Sequence, residues 1–331
     1  MTTIKDIANH LGISISTVSK GLNGASDISE ELRQLVLDTA VEMGYQTKKM
    51  KKNDYKRLCL FIKNMSYESP EDFGYDIILG FKQAAFRDHW NVDIIPITPT
   101  FQISEKYDTY MLKHGYSGAF FVGFSLHDTW LEQLKETSIP TVLFDNYIPK
   151  NPRVAYLGTD NDEGIDAAID HLHGLGHRKI AFLNGPSYSM ISKKRRQAFI
   201  DSMERHNLIV HPEFNVYGDF SADSATEHIP NFLMSGVTAV LCSSDVIASG
   251  AISECQRRGC RVPNDISIIG FDDLPISSTL QPLLTTIRQD RLVLGRTGYF
   301  SLNAMLNGVS ISKALLHPEL VIRSSTAKRP K

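Results

Sequence analysis

The sequence is short of the features that would carry it out of the cell, into a membrane or onto a metal. Among its 331 residues are four cysteines, Cys59, Cys242, Cys255 and Cys260, and no two of them form a CxxC pair. Cys255 and Cys260 have no His or further Cys at zinc-site spacing, so neither a metal nor a cofactor is expected. Cys59 and Cys242 lie inside apolar runs, where a thiol acts as a small hydrophobe. Four reduced, structural cysteines suit a cytoplasmic chain. No apolar run approaches the roughly 20 residues that span a bilayer. The opening Met-Thr-Thr-Ile-Lys-Asp lacks the apolar core of a signal peptide. A net charge of −2 excludes a chain coated in basic charge, although a local patch is enough to hold phosphates.

The motifs of common enzymes are missing too. There is no Walker sequence, no HExxH and no GxGxxG opening a first helix, and Gly123-Phe-Ser-Leu-His127 is not a nucleophile elbow. Asp272 and Asp273 are adjacent, so on a strand they face opposite sides and do not form a cooperating carboxylate pair. His177 follows a helical segment and reads as a helix-end residue rather than a catalyst. No enzyme is expected.

What is present falls into three regimes. Residues 1–45 have helical periodicity throughout. Residues 46–57 are polar and basic. From Leu58, apolar runs of strand length alternate with amphipathic helical segments, the pattern of a parallel α/β sheet. Strands are expected at Leu58–Lys63, Val92–Thr98, Gly118–Phe124, Thr141–Asp145, Lys179–Asn184, Ala239–Ser243 and Ser267–Phe271. The alternation breaks near Pro149–Gly158 and restarts, which implies two layered halves with a ligand cleft between them.

In the first regime Thr3 and Asp6 form a capping pair for a helix carrying Ile4, Ile7, Ala8 and Leu11, and Gly12 supplies its left-handed stop. Ser14 or Ser16 caps a second helix, whose Val18 and Leu22 point back at the first. A third begins after Ser29, with the stripe Leu32, Leu35, Val36, Thr39, Ala40 and Met43. Three short helices around a Leu-Gly-Ile-Ser turn describe a helix-turn-helix, or any small three-helix bundle.

The residues themselves narrow this. Ile4-Lys-Asp-Ile-Ala, Leu11-Gly-Ile-Ser-Ile-Ser-Thr-Val-Ser-Lys-Gly-Leu-Asn23 and Met43-Gly-Tyr45 closely resemble the lactose-repressor (LacI) family of transcription regulators. So do Leu175-Gly-His-Arg-Lys-Ile-Ala-Phe182, Ser244-Asp-Val-Ile-Ala-Ser-Gly-Ala251, the run from Val262 to Asp273, and Pro282-Leu-Leu-Thr-Thr-Ile287. The resemblance implies an α/β chain with an all-α helix-turn-helix headpiece (1–45) and a basic linker or hinge (46–57). An effector-binding and dimerisation domain (58–331), periplasmic-binding-protein-like, follows. Its first lobe is expected at about 58–158 and 288–319, and its second at about 159–287 and 320–331. Operator DNA, a small-molecule effector and a second copy of the chain are the implied partners, with no membrane; the end at Lys331 without a heptad tail favours a dimer.

Carried over by position, Ile15, Ser16 and Lys20 read base edges in the major groove. Ile15 meets apolar features such as a thymine methyl, and Lys20 donates to guanine. Ser14, Thr17, Ser19 and Asn23 match phosphate contacts. The connector departs from the pattern. Relatives place a Pro after the Tyr and then Ala-Arg-x-Leu, whose Leu wedges into the minor groove. Here the matching positions are Thr47 and Lys51-Lys52-Asn53-Asp54, and Asp54 cannot act as an apolar wedge. From Lys48 to Arg57 there are six basic residues and one acid. The segment, with Lys48, Lys49, Lys51 and Lys52, is read as a salt-sensitive phosphate clamp, and Met50 as a substitute wedge.

For the effector, the resemblance maps Arg195 onto the residue whose planar fork grips paired hydroxyls or a carboxylate. It maps Asp245 onto an acidic acceptor and Phe220 onto a stacking aromatic. Phe73, Tyr75 and Asn146 fall in loops that close the cleft from the first lobe. Purine-binding relatives carry a further Arg where this chain has Ser189, so a sugar or sugar derivative is the implied effector. A phosphoprotein corepressor, as in catabolite-control relatives, and a free sugar-binding receptor are the alternatives.

Overall fold

The computed structural model describes residues 2–45 and 56–329. The N-terminal helices form where their caps say they must. Helix α1 (Ile4–Leu11) opens on a Thr3–Asp6 capping box and stops at Gly12, whose φ of 65° is left-handed. Helix α2 (Ile15–Asn23) is capped by Ser14 rather than Ser16, the hydroxyl accepting from the Thr17 amide at 3.1 Å. Helix α3 (Glu30–Glu42) is capped by Ser29. Ile7, Val18, Val36 and Ala40 form the small core among them. Two positions of α3 differ from the sequence expectation: Leu35, on the stripe, is 50% exposed, whereas Leu37, off it, is 1% exposed.

The rest of the described chain builds two six-stranded sheets. The first contains β1 (Arg57–Ile62), β2 (Asn91–Pro96), β3 (Gly118–Val122), β4 (Thr141–Phe144), β5 (Val154–Thr159) and β11 (Lys313–Leu316), in the order β11-β5-β4-β3-β1-β2. The second contains β6 (Ile180–Asn184), β7 (Asn215–Tyr217), β8 (Ala239–Cys242), β9 (Ser267–Asp272), β10 (Thr285–Arg288) and β12 (Glu319–Val321), in the order β12-β10-β9-β8-β6-β7. Strands β2-β1-β3-β4-β5 and β10-β9-β8-β6-β7 pair in parallel, and β12 pairs antiparallel to β10.

Helices cover the sheets: α4 (Phe73–Arg87), α5 (Pro99–Ser104), α6 (Tyr107–His114), α7 (Thr129–Gln133), α8 (Asn161–Gly174), α9 (Met190–Arg205), α10 (Ser224–Met234), α11 (Asp245–Arg257) and α12 (Arg291–Leu306). Every residue of β3, β4, β5, β6, β8 and β9 is buried, as a strand covered on both faces requires. The break expected near Pro149–Gly158 in fact holds β5. Its Val-Ala-Tyr-Leu-Gly-Thr is diluted by small residues, so the apolar run is hard to see in sequence.

The chain divides into two compact units, Met1–Asn64 with Phe81–Leu157 and Arg296–Ala314, and Met65–Gly80 with Gly158–Gly295 and Leu315–Lys331. Residues 65–80 belong to the second because Arg291 holds them: its guanidinium donates to the Asp72 carbonyl at 3.2 Å and pairs with Asp76 at 3.0 Å. No helix among the described residues is long and apolar enough to cross a membrane.

Candidate functional site

Two groups of residues have the makings of a site, one on the helical headpiece and one on the second sheet. On the headpiece, Ile15, Ser16 and Lys20 all project from the outer face of α2, and Ile15 is 52% exposed. An isoleucine so placed buries nothing in the free chain, which is what a groove contact needs. Lys20 pairs with Asp27, both half-exposed, a contact cheap to exchange for a base or phosphate. Ser14 and Asn23 are exposed; Thr17 and Ser19 are half-buried. The Ser14 hydroxyl lies 2.7 Å from that of Ser16 and 2.8 Å from that of Thr17, and Asn23 donates to the Ser19 carbonyl at 2.7 Å. Lys48, Lys49, Met50, Lys51 and Lys52, the expected clamp and wedge, lie outside the described residues.

On the second sheet the chemistry gathers beyond the carboxyl ends of the strands, where parallel sheets leave loops free to bind. Arg195 comes from α9, the helix following β6, and is 3% exposed. Its Nε donates to Asn161 Oδ1 at 2.9 Å, and Nη1 donates to the Ser243 carbonyl at 2.6 Å. Nη2 stands 3.9 Å from Asp272 Oδ1, and the guanidinium lies 3.6 Å over the Phe271 ring. Gln289, just past β10, donates to Asp272 Oδ1 at 2.6 Å and accepts from the Thr159 hydroxyl at 2.6 Å. Burial pushes the Asp272 carboxyl up to about 6, against the pull of Arg195, Gln289 and Arg291. Two hydroxyls on the elements that hold Arg195, Ser243 Oγ just past β8 and Ser192 Oγ on α9, are buried without a hydrogen-bond partner among the described residues. Buried polar atoms are almost always satisfied, so open ones beside a charged fork suit a polar ligand.

Phe220 lies in the loop after β7, 42% exposed. A side chain at Gly185, just past β6, would stand 2.4 Å from the Phe220 ring, so only glycine lets the aromatic lie there. Asp245 is fully buried, with Oδ2 accepting from the Leu274 amide at 2.6 Å and Oδ1 from the Thr286 hydroxyl at 2.5 Å. Burial, then the neighbouring Asp272, drives its carboxyl well above the usual range. One oxygen holds the turn after β9 and the other holds β10, because Asp245 opens α11; Ser244 is the helix cap. The acid at the edge is Asp272, with Asn161 and Gln289 as its polar neighbours. Asp272 ends β9 with a φ of 112°, in the left-handed region. The sequence signal was the Asp272-Asp273 pair itself. The two do face apart, Asp273 bonding Arg288, Arg323 and Ser277.

Phe73 and Tyr75 are in the first turn of α4 rather than in a loop, both half-buried within the second unit. In the first unit, Asn146 follows β4. Its Nδ2 donates to the Phe124 carbonyl at 2.8 Å, and its Oδ1 is buried without a partner. Lys63, just past β1, is buried in an ion pair with Asp128 that Gln102 joins at 3.0 Å, a polar centre that the sequence reading missed. His177 is structural: its ring lies 3.0 Å from both the Thr238 hydroxyl and the Ala327 carbonyl, tying down the C-terminal segment.

Known proteins resemble the chain in sequence and fold. Residues 3–48 match the model of bacterial regulatory proteins of the lacI family, and residues 169–326 match a periplasmic binding protein-like domain. The chain is 30% identical over 338 residues to the HTH-type transcriptional repressor PurR of Pasteurella multocida, covering 99% of this chain and all of that one. It is 28% identical over 337 residues to the HTH-type transcriptional repressor CytR of Escherichia coli strain K12, covering 99% and 97%. Among solved structures, the lac repressor dimer bound to operator and the anti-inducer ONPF superimposes with a TM-score of 0.68 at 25% identity, covering 98% of this chain and 99% of that one.

Proposed function

The chain belongs to the lacI family of bacterial regulatory proteins and is a DNA-binding transcriptional repressor under small-molecule control; within that role, we propose that its effector is a sugar or sugar derivative bound at the carboxyl edge of the second sheet. The observation that carries this reading is the Arg195 fork. A buried guanidinium, stacked on Phe271 and flanked by Asp272, Asn161 and Gln289, presents alternating donors and acceptors that vicinal hydroxyls can satisfy. Phe220 supplies the apolar face on which a pyranose ring stacks, and Ser192 and Ser243 offer open hydroxyls. Asp245 supports the site from beneath. Phe73 and Tyr75 are further ligand contacts in this reading.

The headpiece reads DNA through Ile15, Ser16 and Lys20, with Ser14, Thr17, Ser19 and Asn23 on phosphates and the basic connector as a clamp. One headpiece gives weak affinity and no symmetry, so the working unit is a homodimer in the cytoplasm. Large apolar side chains left in solvent support a self-association face. Phe86 on α4 is 78% exposed and Phe300 on the neighbouring α12 is also exposed. No role as an enzyme is proposed.

A thermal-shift screen of the full chain against sugars, glycosides, phosphorylated sugars, nucleosides and purines tests the effector class. A sugar that raises Tm in the wild type and not in Arg195→Ala supports the reading, because only native-state binding stabilises. A nucleoside or purine hit, or silence across the panel with operator binding switched by a phosphoprotein, overturns it.

A further inference from the structure

The burial of Leu37, off the apolar stripe of α3, has its cause in the first sensor lobe. Leu112 of α6 is buried in the same cluster as Ile7, Val18, Val36 and Leu37 of the headpiece. Around that apolar centre the two helices are matched in charge. The Asp38 carboxylate accepts from the Thr109 hydroxyl at 2.6 Å and pairs with Lys106 at 3.6 Å. Glu30 pairs with Lys113 at 2.8 Å, which holds its carboxyl below the usual range. Thr109 is fully buried, so the contact excludes water at its centre.

We propose that α6 is a docking seat for the chain's own DNA-binding headpiece, and that this seat couples the sensor to the reading helix. The proposal rests on the headpiece being the DNA reader. Three observations carry it together. First, α6 has two working faces: Leu112 and Thr109 meet the headpiece, whereas Tyr107 and Met111 are buried in the core of the first sheet. The Tyr107 hydroxyl lies 2.7 Å from that of Thr141 in β4, and the Met111 sulfur 3.4 Å from Cys59 in β1. A displacement of the sheet therefore reaches α3 through one rigid helix. Second, the seat takes up the acidic face of α3, which phosphates would repel, while Ile15, Ser16 and Lys20 stay outward. Third, the connector positions that match the wedging segment of relatives, Lys51-Lys52-Asn53-Asp54, are all polar.

Hydrogen exchange on the full-length protein, with and without DNA, tests the seat. Leu112→Asp and Asp38→Lys should speed exchange in α3 and α6 by roughly tenfold or more, the scale on which a docked element opens when its contacts go. Lys113→Glu should loosen the seat, and adding Glu30→Lys should restore protection by reversing the pair. In parallel, effector-dependent change in operator affinity should shrink in Leu112→Asp while DNA binding persists. Unchanged exchange in all variants would overturn the docking, and an effector response kept in full would overturn the coupling. A chain that failed to bind any DNA would refute the functional reading, and the exchange result would still decide the seat.

Discussion

Asp272 sets the pH behaviour of the proposed effector site. Its carboxyl is pushed from 3.8 up to about 6 by burial, so the folded chain binds a proton that the unfolded chain has already released. Stability from this group is therefore full below an unfolded pKa near 3.8 and is lost as pH rises through about 6. The size is on the order of 3 kcal/mol at most, from one pKa unit being about 1.4 kcal/mol. Melting curves of wild type and Asp272→Asn between about pH 4 and pH 7 should diverge in that sense, the wild type losing ground as pH rises. Parallel curves would show that the carboxyl titrates normally. A ligand donating hydroxyl hydrogens to Asp272 favours the ionised form, so effector affinity should fall below about pH 6 in the wild type. At Gly185 the steric limit is sharper. With the Phe220 ring 2.4 Å from any added Cβ, Gly185→Ala should displace the aromatic and weaken effector binding roughly tenfold, about the worth of one stacking contact. Unaltered affinity would remove Phe220 from the site.

At the scale of elements, what the sequence declared depended on whether local chemistry or long-range packing decided the outcome. The caps of α1 and α3 and the stop at Gly12 were legible because each is set by residues three or four apart. Strands β1, β2 and β3 were legible as apolar runs, with ends offset by at most a residue or two. The strands missed were β5, β7, β10, β11 and β12, which are short, half-exposed or diluted by small residues; their pairing comes from neighbours distant in sequence. In the candidate site, the burial of Asp245 was not legible, because its carboxylate is taken up by an amide twenty-nine residues away, at Leu274, and by the Thr286 hydroxyl. Leu37 was illegible for the same reason, since a second packing partner, α6, overrides the helical stripe.

For the molecule as a whole, the account is a linkage between two binding events on one chain. An effector that prefers one state of the sensor must change operator affinity by the same factor by which DNA changes effector affinity. The most direct measurement is operator affinity, on a duplex selected from random sequence, across a salt series with and without the effector. The account predicts that log affinity falls linearly with log salt, as phosphate binding requires. It also predicts that the effector shifts the wild-type line by about 5- to 150-fold, the usual range of allosteric coupling, and leaves Arg195→Ala unmoved. A shift of equal size in Arg195→Ala would place the effector elsewhere. A chain with no selectable sequence would contradict the central claim.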